Sequence, residues 1–358
     1  MHTQSLKVKT NMSSTFEQHL EQIVADLYGY TNHCDFAVVR DFILDKIVKQ
    51  NNLLTTTCNV ESVNFGSRAL GIQNYDSDYD VLILLEFPSY EDIIVRPDQH
   101  RPGMVHLDFK NMSFNSFTED TLLDNRWYLK REEVQTLMQC ILMNAHGRTL
   151  TGRHYDNYTL RYHRKPNCHT ITAESKRHVF SIDFVPAIRI HFDGCDWEGV
   201  PKFSPGPKRS NGCTFMMSAI KSEIHFFNKS GQNIKDALLL LRALCQAKDL
   251  PKIRNYHLVS LALNLVASED FEDYSLEDIF LDLLYDLVDA IQSNELSYFC
   301  YSDSNLLANL TPQNLVDYKN VLDSAYLTLK TYPGQYKLSY ERCSWHFFGD
   351  DSDDYYDD

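Results

Sequence analysis

The stretch FGSRALGIQNYDSDYDVLILL, residues 65–85, decides the fold that this sequence predicts. Gly66-Ser67 follows a Thr-rich and Val-rich segment that has the character of an extended strand, and Asp78-Tyr79-Asp80 leads directly into an apolar run. A short apolar run of this length predicts a buried β-strand. Because residues i and i+2 of a strand project from the same face, Asp78 and Asp80 should present two carboxylates side by side.

Two neighbouring carboxylates repel each other unless a cation lies between them, and Mg²⁺ is the hard, oxygen-seeking ion that suits such a pair. A third carboxylate, Asp183, lies in the strand pattern of residues 180–185, where its apolar neighbours would make an unpaired charge costly. Three carboxylates can hold two ions, of which one activates an attacking hydroxyl and the other holds a triphosphate. We therefore predict that Asp78, Asp80 and Asp183 bind Mg²⁺ or Mn²⁺ and are catalytic.

Phosphoryl transfer also requires a phosphate-binding site, and the Gly66-Ser67 turn can supply one. Glycine lets the backbone approach a phosphate closely, and the hydroxyl and amides of Ser67 can donate hydrogen bonds to it. A P-loop is excluded, because Ile72-Gln73 stand where Lys-Ser/Thr would be required. Asp76 competes with the chosen pair, since Asp76-Ser77-Asp78 is also an Asp-x-Asp; we prefer Asp78 and Asp80 because they adjoin the strand.

Composition places the chain among ordinary folded proteins. It has 358 residues, of which 43% are hydrophobic and 23% charged, which suggests about two domains. The sequence has no run of about 18 apolar residues and no apolar segment of signal-peptide length near its start, so we expect a cytoplasmic protein with no membrane partner. Its nine cysteines are scattered singly without a Cys-x-x-Cys, which indicates reduced thiols and no zinc site.

The net charge of −15 argues against general nucleic-acid binding, which needs Lys and Arg to replace phosphate counterions. The charge is uneven, however, because residues 146–177 hold seven Lys or Arg against two acidic residues. This basic segment is either a solvated loop or sheet edge, or a local phosphate-binding face. The sequence leaves both interpretations open.

Periodicity divides the chain into a mixed first part and a helical second part. Helical patterns occupy residues 14–28, which open with a Ser14–Glu17 capping box, then 38–47, 128–145, 216–228, 233–248, 256–267 and 276–292. Extended patterns occupy residues 52–65, 80–87, 104–110 and 178–192, and a Gly-, Pro- and Ser-rich loop is expected at 194–212. We predict an N-terminal helical spine (1–50), a core (51–212), a helical lobe (213–345) and a disordered acidic tail (346–358).

These residues resemble a known group of enzymes. The order of motifs is similar to that of polymerase-beta-like nucleotidyltransferases, in which Gly-Ser is followed by an Asp-x-Asp that enters a strand and then by an Asp in a later strand. Ser181-Ile-Asp-Phe-Val-Pro-Ala-Ile188 is more specific, and resembles the third-carboxylate strand of the cyclic GMP-AMP synthase and male-abnormal (Mab) subgroup. Asn255-Tyr256-His257 resembles that subgroup's Ser-Tyr-His. The resemblance implies a bilobed α+β fold with nucleotides bound between a polymerase-beta-like core and a helical lobe.

The resemblance also implies roles for individual residues. Gly66 and Ser67 would contact ATP phosphates, and Tyr256 would stack on a base. Further nucleotide contacts would come from Ser218, Lys221, Arg242 and Asn255. Lys221 and Thr214 depart from the family, standing where an acidic residue and a guanine-facing Arg are expected. The short, cysteine-free region 224–236 lacks the vertebrate enzyme's zinc-binding insertion.

The function implied by the resemblance is that of a cyclic GMP-AMP synthase-like receptor. Such a receptor would join ATP and GTP into a cyclic dinucleotide in innate immune sensing. Without a zinc insertion, double-stranded RNA is the expected activator, with the basic segment 146–177 as one candidate contact. Two alternatives stay open, namely a catalytically silent Mab-type binding protein and a template-independent RNA-tailing nucleotidyltransferase. The three retained aspartates favour the enzyme.

Overall fold

The computed structural model describes residues 15–28, 35–74, 77–113, 120–153, 155–202, 212–268 and 274–349. The chain forms two compact units. The first, here called the sheet unit, comprises residues 30–229 and 300–304; the second, the helical unit, comprises residues 1–29, 230–299 and 305–358. The predicted α+β class is confirmed. The domain boundaries predicted after residues 50, 212 and 345 stay a prediction.

Within the described residues, the sheet unit contains one sheet of ten strands. Its strands are β1 (Asn59–Phe65), β2 (Tyr79–Glu86), β3 (Ile94–Pro97), β4 (Met104–Asp108), β5 (Thr149–Thr151), β6 (Asn157–Arg164), β7 (His169–Glu174), β8 (Val179–Phe192), β9 (Cys195–Val200) and β10 (Thr214–Ser218). The order is β3-β4-β10-β9-β8-β7-β6-β5, and β2 pairs with β8 in parallel and with β1 antiparallel. Two short strands follow later in the chain, β11 (Ser297–Tyr298) and β12 (Tyr301–Asn305).

Strand β2 is apolar from Val81 to Leu85 because both faces of this part of the strand are covered. Val81, Ile83 and Leu85 belong to the large core on one face of the sheet. Leu82 and Leu84 belong to a smaller cluster on the other face, together with Ala187, Val200 and Ile220. The continuous apolar run predicted this two-sided burial.

Helices of the sheet unit surround these strands. They are α2 (Phe36–Ile43, continued by a π-helical turn at Leu44–Val48), α3 (Asn52–Thr57), α4 (Gly66–Leu70), α5 (Arg131–Leu142) and α6 (Ile220–Lys229). Two predictions here were wrong, and a third was wrong in the sheet, where Cys195–Val200 of the loop expected at 194–212 form strand β9. Residues 52–57 are helical, since Asn51 caps them by accepting from the Leu54 amide at 3.1 Å. Residues 216–218 end strand β10, and the helix begins only at Ile220.

The helical unit contains α1 (Thr15–Leu27), α7 (Gln232–Ala247), α8 (Asn255–Ser268), α9 (Leu276–Ser293), α10 (Pro312–Leu329) and α11 (Tyr340–Phe348). The predicted start of α9 is confirmed, because the Ser275 hydroxyl accepts from the Asp278 amide at 3.1 Å. Ser14 of the predicted capping box, Gly29 and residues 350–358 of the acidic tail lie outside the described residues. Within the described ranges, no helix is both long enough and apolar enough to cross a bilayer.

Candidate active site

Asp80 and Asp183 are brought together by the pairing of parallel strands. In the register of β2 with β8, Asp80 lies directly opposite Asp183. Because side chains alternate between the faces of a sheet, both point away from the large core that holds Val81 and Ile182. They therefore lie on the face of the smaller apolar cluster, at the end of β2 where the chain enters the sheet.

The Gly66-Ser67 turn lies against Asp80. Phe65, the last residue of β1, pairs with Asp80, and Gly66 then opens helix α4 with a φ of +74°. A β-carbon at position 66 would overlap the Asp80 carboxylate, so glycine is required both for its backbone conformation and for its lack of a side chain. Ser67 is buried and follows at once. The predicted turn and the predicted carboxylate are thus neighbours.

Asp80 carries the electrostatic signature of a shared acidic site. Burial, together with the negative charges of Asp183 and Asp78, raises the pKa of its carboxyl to about 7, while Lys165 acts in the opposite direction. Asp78 is exposed and lies two residues before Asp80. All three predicted carboxylates therefore interact, as the sequence suggested. Asp76, the competing residue, lies outside the described residues.

Three side chains that the sequence did not reveal surround Asp183. The Lys165 ammonium lies 3.1 and 3.2 Å from its two carboxylate oxygens. The Thr170 hydroxyl donates to Oδ1 at 2.5 Å, and the Cys168 thiol donates to Oδ2 at 3.3 Å. Burial and the adjacent Asp183 raise the pKa of the Cys168 thiol to about 12, which keeps it protonated. The alternation in HTITAE, residues 169–174, was the only signal for the Thr170 position.

These residues fit a divalent ion in chemistry and number. Asp78, Asp80 and Asp183 bring three negative charges together, and Lys165 contributes one positive charge beside them. Clustered carboxylates of this kind favour protonation or a bound cation. Among the described residues, no group of three or more His, Cys, Asp or Glu side chains is already arranged around a metal position. Asp183 would have to exchange its contact with the Lys165 ammonium for the ion.

Arg68 connects the Gly-Ser turn to the segment that carries Asp78. Its Nε donates to the Ser77 carbonyl at 2.7 Å, and its guanidinium lies 4.1 Å from the centroid of the Tyr79 ring. Tyr79 in turn stacks on Phe36 at 4.0 Å. Since Asp78 lies between Ser77 and Tyr79, Arg68 fixes the backbone on both sides of it.

Ser218 and Lys221 lie where helix α6 leaves the sheet. Ser218 is buried at the end of β10, opposite Glu198 of β9. Glu198 accepts from the Ile220 amide at 2.7 Å and so anchors the start of α6. The Lys221 ammonium lies 2.6 Å from Glu61. Their predicted contacts with a nucleotide stay predictions.

The remaining predicted nucleotide contacts belong to the helical unit. Arg242 lies on α7 among buried leucines and is itself partly buried. Asn255 and Tyr256 open helix α8, and 45% of the Tyr256 surface is exposed. That exposure leaves the ring accessible for stacking. The predicted roles of these three residues are not tested by the structure.

The basic segment 146–177 forms strands β5 to β7 and their turns. Three of its cations have acidic partners within 3.1 Å: Arg161 pairs with Glu174, Arg164 with Glu132, and Lys165 with Asp183. The segment is therefore a sheet edge whose charge is partly compensated. This reduces the net positive charge that it offers to a polyanion.

Sequence comparisons agree with this geometry. The Mab-21 protein nucleotidyltransferase domain matches residues 76–223, which include Asp78, Asp80 and Asp183. The Mab-21 protein HhH/H2TH-like domain matches residues 233–324, which include Arg242 and Tyr256. Gly66 and Ser67 precede the first match. Nucleotidyltransferase domains of this kind generally use Mg²⁺ or Mn²⁺.

Similar curated proteins extend the match over most of the chain. A cyclic GMP-AMP synthase-like receptor of Lucilia cuprina is 25% identical over 71% of this chain and 75% of its own length. Cyclic GMP-AMP synthase-like receptor 1 is 25% identical in Drosophila erecta, over 83% of this chain and 73% of that protein. The receptor 1 of Drosophila melanogaster is 26% identical, over 68% of this chain and 72% of that protein. The chain thus belongs to the Mab-21 family, with a nucleotidyltransferase domain followed by a helical domain, and is similar to cyclic GMP-AMP synthase-like receptors.

Proposed function

We propose that this protein is a nucleotidyltransferase that joins ATP and GTP into a cyclic dinucleotide in innate immune sensing. The observation that carries the proposal is the opposition of Asp80 and Asp183 on parallel strands, with the Gly66 turn packed against Asp80. The names of the similar receptors support the choice of product. Pyrophosphate would be released at each of the two joining steps.

In this proposal each side chain has a defined task. Asp78, Asp80 and Asp183 would hold Mg²⁺ or Mn²⁺, which when bound would activate the acceptor hydroxyl and neutralise the triphosphate. Ser67 and the amides that follow Gly66 would donate to the phosphates. Thr170 would keep Asp183 oriented through its 2.5 Å hydrogen bond. Tyr256 would stack on a base.

Double-stranded RNA is the activator that we propose, with the basic segment 146–177 as a contact. The support is its position along strands β5 to β7, where residues 161 and 163–167 are exposed. RNA held by the Lys and Arg side chains of this segment should be released by salt, and the pairing of Arg161 with Glu174 and of Arg164 with Glu132 should make that salt dependence shallower. No zinc is assigned a role.

Mass analysis of the products tests the function. The purified chain is incubated with ATP, GTP and Mg²⁺ or Mn²⁺, with and without long double-stranded RNA. The proposal predicts a cyclic dinucleotide that is lost in the Asp78→Asn, Asp80→Asn double variant. Asp45→Asn is the matched control, because Asp45 is an exposed helix residue paired with Lys49. Linear products would instead indicate an RNA-tailing enzyme, and nucleotide binding without any product would indicate a silent Mab-type protein.

A further inference from the structure

Lys165 occupies a position that the proposed reaction does not explain. Its ammonium contacts both oxygens of Asp183, and its charge also acts on Asp80 and Asp78. It is thus the cation nearest to Asp183 among the ion pairs that the structure describes. A divalent ion bound by the same carboxylates would meet this ammonium at close range.

The backbone of Lys165 is held in place while its side chain is accessible. Lys165 lies in the turn between β6 and β7, where its amide donates to the Cys168 carbonyl at 2.9 Å. Its neighbour Arg164 is tied to helix α5, donating to Gln139 at 2.7 Å and to Glu132 at 3.0 Å. The Lys165 side chain itself is 47% exposed. Rotation about its flexible stem can therefore carry the ammonium into solvent without movement of the strands.

Electrostatic repulsion disfavours simultaneous binding of the Lys165 ammonium and a divalent ion at these carboxylates. A unit charge and a divalent ion about 5 Å apart repel by roughly 1–2 kcal/mol even in bulk water, which corresponds to about tenfold in affinity. Because the Lys165 ammonium contacts both oxygens of Asp183, an ion that binds through either oxygen competes with the ammonium for it. Where Lys165 is bound, the ion must first displace it.

We propose that Lys165 is an internal counter-ion that competes with the divalent metal for Asp183 and thereby sets the metal affinity of the site. This inference rests on the proposed function, since it takes Asp183 as a metal ligand. It adds a residue that holds the acidic cluster together before metal enters and that leaves Asp183 when metal binds. Lys165 belongs to the turn between β6 and β7, and not to either of the two segments that carry the carboxylates.

Direct binding of Mn²⁺, followed by electron paramagnetic resonance without nucleotide or RNA, tests the inference. Lys165→Gln removes the charge and should bind Mn²⁺ about tenfold more tightly than the wild type. Lys165→Arg keeps the charge and should bind no more tightly than the wild type. Lys49→Gln removes a lysine from another aspartate pair, that with Asp45, and should leave Mn²⁺ affinity unchanged. Circular dichroism verifies that each variant is folded.

The outcomes separate this inference from the proposed function. Equal or weaker Mn²⁺ binding by Lys165→Gln overturns the counter-ion role, even if the wild type makes the predicted product. The metal site itself is tested by the Asp78→Asn, Asp80→Asn variant in the same assay. If that variant bound Mn²⁺ as well as the wild type, the proposed function would lose its metal ligands, whatever Lys165 does.

Discussion

Asp80 lies directly opposite Asp183, although β2 and β8 are separated in the chain by five other strands of the same sheet. The parallel pairing of β2 with β8 makes one site from two distant segments. Asp78 joins it through its proximity to Asp80 in sequence. The site therefore depends on the register of a single strand pair, and each feature that fixes the local backbone there should affect activity.

Gly66→Ala should reduce both stability and activity. The φ of +74° disfavours any side chain, and the new β-carbon would overlap the Asp80 carboxylate. We expect a loss of about 1–3 kcal/mol in the free energy of unfolding and at least about a tenfold loss of product. Urea unfolding and product mass analysis measure the two effects.

Gly194→Ala is the matched control for Gly66. Gly194 has a φ of +76°, and a β-carbon there would meet no atom within 4 Å. Gly194→Ala should lower the free energy of unfolding through backbone strain and leave the amount of product unchanged. Equal activity of the two alanine variants would show that contact between Gly66 and Asp80 is not needed for catalysis.

Arg68→Lys should weaken the site while leaving its charge unchanged. Lysine cannot reproduce the planar stacking on Tyr79 together with the Nε hydrogen bond to Ser77. We expect Mn²⁺ affinity to fall by about threefold or more, since loss of one hydrogen bond is worth about 1 kcal/mol. Arg40→Lys is the control, because Arg40 lies 5.3 Å from Phe36 at the other end of the same aromatic stack. Equal Mn²⁺ affinity in the two variants would contradict a positioning role for Arg68.

Glu198 should make the stability of the protein depend on pH. Burial, with a smaller contribution from the charge of Glu223, raises the pKa of its carboxyl from 4.5 to about 7, despite hydrogen bonds from the start of α6 and the charge of Lys221. Between these values the folded state binds the proton and the unfolded state does not. The contribution of the neutral Glu198 carboxyl to the free energy of unfolding is therefore fully present below about pH 4.5 and is lost as pH rises through about 7.

Glu198→Gln should remove this dependence, since glutamine is neutral throughout and can still accept from the Ile220 amide. Relative to the variant, the wild type should lose up to about 3 kcal/mol between pH 4.5 and 7. Urea unfolding of both proteins across this range isolates the contribution of Glu198 from that of other groups. Parallel stability curves would be inconsistent with a raised pKa.

Tyr256→Ala should affect nucleotide binding more than folding. The ring is 45% exposed at the start of α8, so its removal costs little buried contact. A base stacked on an aromatic ring is worth about 1–3 kcal/mol, which predicts an increase in KM for a nucleotide of about tenfold. Tyr336→Ala removes another exposed ring, 97% exposed, as the control. An unchanged KM for both nucleotides would exclude the stacking role.

The sequence predicted most of the elements whose pattern is set locally. The apolar run at 80–87 and the capped helix at 276–292 were predicted correctly to within one residue, because two-sided burial and the Ser275 cap favour one structure strongly. Thr residues at 55–57 suggested a strand, but their hydroxyls bond back to carbonyls of the preceding turn, and Asn51 caps a helix. Here local capping outweighed β-propensity.

The sequence predicted those residues of the site that lie in recognisable motifs. Asp78, Asp80 and Gly66 lie within one stretch, and Asp183 stood out as a charge in an apolar strand. Lys165, Cys168 and Arg68 carried no such signal, because their contacts depend on strand register and on side-chain direction. Only the pairing of β7 with β8 places Thr170 opposite Asp183. Long-range register of this kind is not encoded in any short window of sequence.

Anomalous diffraction from crystals grown with Mn²⁺ tests the central claim most directly. The account predicts an anomalous peak about 2.2 Å from carboxylate oxygens of Asp78, Asp80 and Asp183, with the Lys165 ammonium moved away from Asp183. A peak there with Lys165 unmoved would remove only the counter-ion role. Saturating Mn²⁺ with no peak between the three aspartates, and with Asp183 still bonded to Lys165, would contradict the assignment of this site as the metal centre of a nucleotidyltransferase.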